Sequence, residues 1–293
     1  MYFNQKLLTS QAATSGFVLL WGCAAIFTRW GLDHASPMVL LIFRFIVALI
    51  LLLIIGLYRH KFLPLHGTQK QVIMTGLLMI GGYSICYFQA MAHGVTPGLI
   101  ATIMGIQPIL TLCLIERKMN AFRVLGLFIA LSGLILLVWE SLVATTVAPI
   151  GVFLALAALL CMTFGAIMQK NIQQHPAEVL PLQYVVSIFI CILFLPFENI
   201  HLNLHWQLII AVLFLGVLIS VVAQILLYRL LNQGNIVNVT SLFYLVPVIT
   251  AILDYVLLGN ILPALAVIGM LAILLGIMLV FSKKANKKFT ESN

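Results

Sequence analysis

PILTLCLIERKMNAFRVLGLFIALSGL, residues 108–134, is answered by PVITAILDYVLLGNILPALAVIGMLAILLGI, residues 247–277. In each, a proline in an apolar run precedes two glycines: Pro108 with Gly126 and Gly133, then Pro247 with Gly269 and Gly276. The echo extends upstream, where Gly94 recurs as Gly234, Arg29 as Lys170, and Leu40–Phe45 as Leu180–Tyr184. All these pairs are offset by 139 to 143 residues, close to half of the 293-residue chain. The chain therefore divides into related halves, 1–145 and 146–293. A duplicated membrane domain is the usual sequence trace of a pathway built between two halves.

The residues between these markers are overwhelmingly apolar. Hydrophobic residues are 63% of the chain and charged residues 8%, with a mean hydropathy of +1.18. A soluble domain carries about 45–50% apolar and about 25% charged residues, so this chain cannot clothe itself for water. Ten stretches approach the roughly 20 residues a helical span requires. They are 12–32, 36–57, 71–92, 97–115, 121–139, 150–170, 179–196, 206–231, 236–258 and 263–281. Their apolarity is continuous rather than alternating, which selects helices over barrel strands. The fold class is all-α, a polytopic membrane protein of ten transmembrane helices.

The first stretch runs through Phe27 to Trp30 with no small-residue cleavage site, and it reads as a retained helix rather than a leader. Cys23, Cys86, Cys113, Cys161 and Cys191 lie singly in different spans and read as apolar fillers.

The net charge of +8 is distributed by loop rather than by patch. With a cytoplasmic N-terminus, 13 of the 15 Lys and Arg residues fall inside, leaving Arg29 at the outer face and Arg44 within a span. The positive-inside rule and the even number of spans place both termini in the cytoplasm. The basic tail Lys283–Lys288 is then an anchor beside anionic lipid, and no nucleic acid is expected. Each half holds five spans, an odd number, so the second half enters the membrane inverted. The architecture is two five-helix inverted-topology repeats about an axis in the membrane plane.

Polar groups within the spans are few and fall into stripes. Ser220, Gln224 and Tyr228 follow at four-residue spacing, as do Tyr83, Tyr87 and Met91, with Gln89 and His93 on an adjacent face. Gln183 with Ser187, Gln107 with Thr111, and Asn238 with Ser241 and Tyr244 add three more helices. Such stripes line a midplane cavity or bond helix to helix. Trp21, Phe164 and Met168 are aromatic or adaptable groups on helices one and six. Arg44 within a span costs at least about 2.5–3.5 kcal/mol on insertion scales. It contacts a substrate anion, or it pins helix-end carbonyls. The candidate substrate-binding residues are Trp21, Arg44, Tyr83, Tyr87, Gln89, Phe164, Gln183, Gln224, Tyr228 and Tyr244. Asp254 and His93 are the candidates for proton coupling, and Pro108 and Pro247 for helix hinges.

Trp21-Gly22, Ser36-Pro37 leading to Arg44-Phe45, Pro108, Pro247, the two glycine pairs and Gln183 together resemble the EamA-type permeases of the drug/metabolite transporter superfamily. The likeness spans essentially the whole chain. It departs where that family closes each proline-bearing helix with Gly-Glu: here the second repeat has Gly259-Asn260, and Glu116 follows Pro108 by only eight residues. The resemblance implies movement of a small solute, commonly export of amino acids or other metabolites across the inner membrane. The expected substrate is a small neutral or zwitterionic metabolite carried by alternating access. The alternatives are a multidrug or nucleobase exporter and, far behind, a membrane-embedded enzyme or sensor. No GxxxxGK[ST] loop, HExxH motif or clustered His and carboxylates are present. No cofactor, metal or catalytic residue is therefore assigned. The expected partners are a substrate and the bilayer, with oligomeric state open and a monomer sufficient.

Overall fold

The computed structural model describes residues 2–61, 63–116, 120–143, 148–258 and 263–282, with side chains 2–12, 141, 254 and 256–258 excluded. Asp254 and Gly259-Asn260 therefore lie outside the described side chains and residues. Among the described residues nine helices are long and apolar enough to cross a membrane, and a shorter apolar helix, Ala121–Leu137, is the tenth. At about 1.5 Å per residue this last one still extends about 25 Å. In order they are helix one (Tyr2–Leu32), two (Pro37–Arg59), three (Gln69–Ala92), four (Pro97–Ile115) and five (Ala121–Leu137). Six (Pro149–Lys170), seven (Pro176–Phe197), eight (Trp206–Gln233), nine (Ile236–Leu253, helical on to Leu258) and ten (Ala264–Phe281) form the second repeat. Leu57, Phe189, Leu193, Leu271 and Met278 are among many large apolar side chains left exposed. This girdle makes sense only with lipid as the solvent.

The repeats interlock rather than sit side by side. Helix one packs on eight and nine, and its counterpart, helix six, packs on three and four. Helix two meets seven, four meets nine, and five meets ten across the pseudo-twofold axis. The last of these contacts explains the glycines that open the sequence. A Cβ on Gly126 would lie 2.6 Å from the Gly276 carbonyl oxygen, and one on Gly276 would lie 2.5 Å from that of Gly126. Gly133 and Gly269 meet in the same way, at 2.6 and 2.5 Å. Absence of side chains lets two backbones touch, the usual basis of close helix association in lipid.

Two kinds of local irregularity also come in matched pairs. Helix four breaks at Gly105–Ile106, between Pro97–Met104 and Gln107–Ile115. Helix nine tightens to a 3₁₀ turn at Leu242–Tyr244. Each lies just ahead of the repeat's proline, which lacks an N–H and crowds the preceding turn. Helices three and eight each contain a π-helical segment, Gly76–Gly82 and Phe214–Ala223. Gly76 abuts Gln183 of helix seven, and its counterpart Gly216 abuts Val47 of helix two. In π geometry the backbone bonds slip by one residue, freeing carbonyls for other donors. Helix seven supplies them: Tyr184 Oη donates to the Ser220 carbonyl (2.5 Å) and Ser187 Oγ to that of Gly76 (3.3 Å).

On the face away from the start of helix one, the 33–36 and 198–205 connections are stitched together. Ser36 N–H donates to the His201 carbonyl and Asn203 N–H to that of His34. The Glu198 carboxylate accepts from Met38 N–H (3.0 Å) at the start of helix two and from Gln89 Nε2 (2.6 Å) of helix three. An anion at a helix N-terminus is favoured by the unpaired N–H groups there.

Candidate functional site

The helix breaks and small residues leave a central cavity of about 260 Å³ between the repeats. Its walls are Trp21, Ala24, Ala25 and Thr28 of helix one, Arg44 of two, and Tyr83, Tyr87 and Phe88 of three. Pro97, Gly98, Ala101, Met104 and Gly105 of helix four face Phe243, Val246, Pro247, Thr250 and Ala251 of helix nine. Leu137, Val138 and Ile219 complete the lining. These residues occupy the half of the bundle nearer the 33–36 and 93–96 connections, and the cavity belongs to that half.

Aromatic rings close it below. Phe17, Trp21 and Phe243 stack mutually with centroids 5.1 to 5.6 Å apart, two of the three contacts edge-to-face. Phe17 is fully buried, so this cluster is a floor and not a passage. Thr250 Oγ1 donates to the Gly22 carbonyl (2.7 Å) and fastens helix nine to helix one at the same level.

Among the described residues, Arg44 is the charged group of the lining. Its Nε donates to Ser220 Oγ (2.7 Å), and its guanidinium carbon lies 5.7 Å from the ring centroids of both Phe45 and Phe88. It is only 9% exposed. Among the described residues the ion pairs are Arg29–Asp33 and Arg123–Glu116, and neither involves Arg44.

Of the residues singled out from the sequence, Trp21, Arg44, Tyr83, Tyr87 and Pro247 are brought together around this cavity. Others lie elsewhere. Gln183 Nε2 donates to Gln169 Oε1 (3.1 Å) and accepts at Oε1 from Tyr228 Oη (2.7 Å), a fully buried cluster joining helices six, seven and eight. Gln224 is buried one turn from Tyr228, and Tyr244 Oη reaches the Leu127 carbonyl at 3.5 Å. Gln89 is engaged by Glu198, and His93 Nδ1 contacts the Gln89 carbonyl (2.8 Å) at the exposed end of helix three. Phe164 points outward, 44% exposed, away from the cavity. Pro108 sits beside the break in helix four, outside the lining.

Reading the sequence alone passed over the small residues of the walls. Trp21, Ala24, Ala25 and Thr28, and likewise Gly98, Ala101 and Gly105, recur at three- and four-residue intervals on one face. That spacing is the signal that could have found them. Arg123, which the sequence reading counts only among the inner-side basic residues, is 1% exposed, its Nη1 paired with the Glu116 carboxylate and its Nη2 3.3 Å from Asn238 Oδ1 of helix nine. This network lies beneath the cavity floor, in the sealed half.

Comparison with known proteins agrees with this architecture. A model of the EamA-like transporter family matches residues 12–139 and again 149–282. A "Probable amino-acid metabolite efflux pump" of Salmonella typhimurium is 25% identical over 282 residues, covering 89% of this chain and 90% of its own. The "Uncharacterized transporter YvbV" of Bacillus subtilis is 24% identical over 282 residues, covering 92% and 91%. A solved crystal structure superposes with a TM-score of 0.77 at 18% identity, over 93% of this chain and 96% of that one, a likeness of fold.

Proposed function

The chain belongs to the EamA-like transporter family, and from that premise we propose that it is a secondary transporter exporting a small metabolite of amino-acid type by alternating access. It is a multi-pass membrane protein. The observation that carries the mechanism is the asymmetry of open space: a cavity of about 260 Å³ on one side of a packed aromatic floor, and on the other a buried ion pair and a smaller recess of about 170 Å³ beside Thr14 and Asn238.

Charge orients this arrangement. Arg59, Lys61, Lys70, Lys170 and Arg229 lie at the sealed face, against Arg29 at the other. By the positive-inside rule the sealed face is cytoplasmic, with both termini, and the cavity faces outward in the inner membrane. The repeats are related by inversion, so exchanging their two conformations converts this outward-facing state into an inward-facing one. The breaks ahead of Pro108 and Pro247, in the two helices that meet at the axis, are the places where that exchange bends. Relatives bearing the name of amino-acid metabolite efflux pumps support the substrate class. The aromatic walls also suit a flat nucleobase or drug, the second reading. The cavity, about 260 Å³, is smaller than the roughly 300–1,000 Å³ typical of drug-sized pockets, which favours a metabolite or nucleobase over a drug.

The test is site-directed labelling together with flux. In a background without the native cysteines, Ala25→Cys should react with an impermeant maleimide from outside and Thr14→Cys from the cytoplasm, in alternation as a transported solute is supplied. Amino acids loaded into proteoliposomes should exchange. Labelling of Ala25→Cys from the cytoplasmic side alone would reverse the orientation, and absence of solute exchange for any amino acid would sink the substrate class.

A further inference from the structure

Arg44 presents a chemical imbalance. A guanidinium carries five N–H donors, and here Ser220 Oγ takes the one on Nε. The remaining arms belong to a side chain more than nine-tenths buried, at the wall of the cavity. Among the described side chains, no Asp or Glu lines the cavity. The other buried guanidinium, Arg123, has the Glu116 carboxylate against it. A buried cation without a counter-ion is costly, and an anion that arrives with correct geometry relieves that cost. The fork of a guanidinium matches the two oxygens of a carboxylate.

Apart from Thr28 and Thr250, the remaining walls are apolar or aromatic: Trp21, Phe88, Met104 and Phe243 surround the space, with the Tyr83 and Tyr87 rings next to Arg44. An organic ammonium would meet a like charge at Arg44.

We propose that the cavity recognises a small organic monocarboxylate with an apolar body, its carboxylate paired with Arg44, and that an α-ammonium group is tolerated rather than required. This rests on the transporter reading and narrows it. Ser220, on the π-helical segment of helix eight, is the positioning residue: by engaging Nε it turns the two Nη groups towards the cavity. A matched series that shares one ring and one chain length isolates the charged end. The anion, 3-phenylpropionate, and the zwitterion, phenylalanine, should both bind. The amide 3-phenylpropanamide and the amine 3-phenylpropylamine should bind much more weakly.

The experiment measures these four compounds on the purified full-length protein by thermal shift and then by exchange in proteoliposomes. The wild-type protein is expected to bind the two carboxylates roughly ten- to hundredfold more tightly than the amide, the range for a hydrogen bond to a charged group. Arg44→Gln should abolish that preference. Arg44→Lys should retain part of it, because the charge survives without the fork. Ser220→Ala should weaken carboxylate binding while leaving the amide unaffected. Should Arg44→Gln fail to fold, the wild-type acid-to-amide ratio still decides. An amide or amine bound as tightly as the acid, no binding by any of the four, or an undiminished preference in Arg44→Gln would each overturn the proposal. Exchange of neutral solutes with no carboxylate preference would leave transport standing without this site. Arg44-dependent binding without flux under any gradient would leave the site standing without transport.

Discussion

Removing the Glu116 carboxylate should be among the most damaging single changes in the sealed half. The side chains of Arg123 and Glu116 are 1% and 3% exposed, and Arg123 continues to Asn238 of helix nine. Glu116→Gln preserves volume and an acceptor oxygen but leaves a guanidinium buried against a neutral group. The expected cost is about 3–5 kcal/mol, the range for breaking one side of a buried pair. Replacing both members, as Glu116→Leu with Arg123→Met, should cost much less than either change alone, because the desolvation penalty goes with the charges. Asp33→Asn is the control. Its pair with Arg29 spans 3.0 Å with side chains 63% and 45% exposed, worth about 0–1 kcal/mol. Equilibrium unfolding in mixed micelles, followed by tryptophan fluorescence, supplies the four corners of the cycle. If Glu116→Gln costs no more than Asp33→Asn, or if single and double changes simply add, burial gives this pair no weight beyond an exposed one and the argument fails.

Gly133→Val should destabilise by about 1–3 kcal/mol, since even its Cβ would lie 2.6 Å from the Gly269 carbonyl oxygen. Gly269→Val should match it, whereas Gly16→Ala, 3.5 Å from Leu226, should be near neutral; melting in detergent separates them. Gln107→Leu should raise the melting temperature, because both polar ends of Gln107 are buried without a partner, at a cost of about 1–3 kcal/mol. Phe164→Ala, on the outer surface, should leave amino-acid exchange within about twofold, while Tyr87→Ala in the cavity wall should depress it. Burial, with Arg59 and Arg229 nearby, holds His175 below the usual imidazole range. His175 stays neutral in the folded protein while the unfolded chain takes up a proton below about pH 6.5. The stability it contributes is therefore present above that pH and is lost as pH falls through the folded value. His175→Gln should flatten the fall in melting temperature between about pH 6.5 and 5.

What could be read from the sequence was whatever the bilayer constrains directly. Continuous apolar runs, a duplicated proline-and-glycine order and basic residues placed by loop each follow from one physical demand. The glycines were legible because a Cβ there would strike backbone, which no rearrangement of side chains relieves. The cavity was half legible. A polar stripe facing open space and one facing another polar stripe look alike in one dimension, so Gln183 and Tyr228, bonded to each other, resembled Tyr83 and Tyr87, which face the cavity. Nothing in the sequence singled out Arg123: it lies three residues into helix five, and its partners Glu116 and Asn238 are brought to it by the fold. The π-helical segments left no mark, since one more apolar residue per turn changes neither composition nor length enough to notice.

The seam between helices five and ten has a consequence for assembly. Gly126 faces Gly276 and Gly133 faces Gly269, and the repeat carries each of these pairs onto the other. The surface is therefore isologous in all but covalent connection: helix five is complementary to an upside-down relative of itself. Two identical half-length chains inserted in opposite senses can close the same interface. Joining the halves in one chain fixes their ratio at one to one and frees each sequence to diverge, so that helix two carries Arg44 at the cavity while helix seven carries Gln183 in a buried cluster away from it.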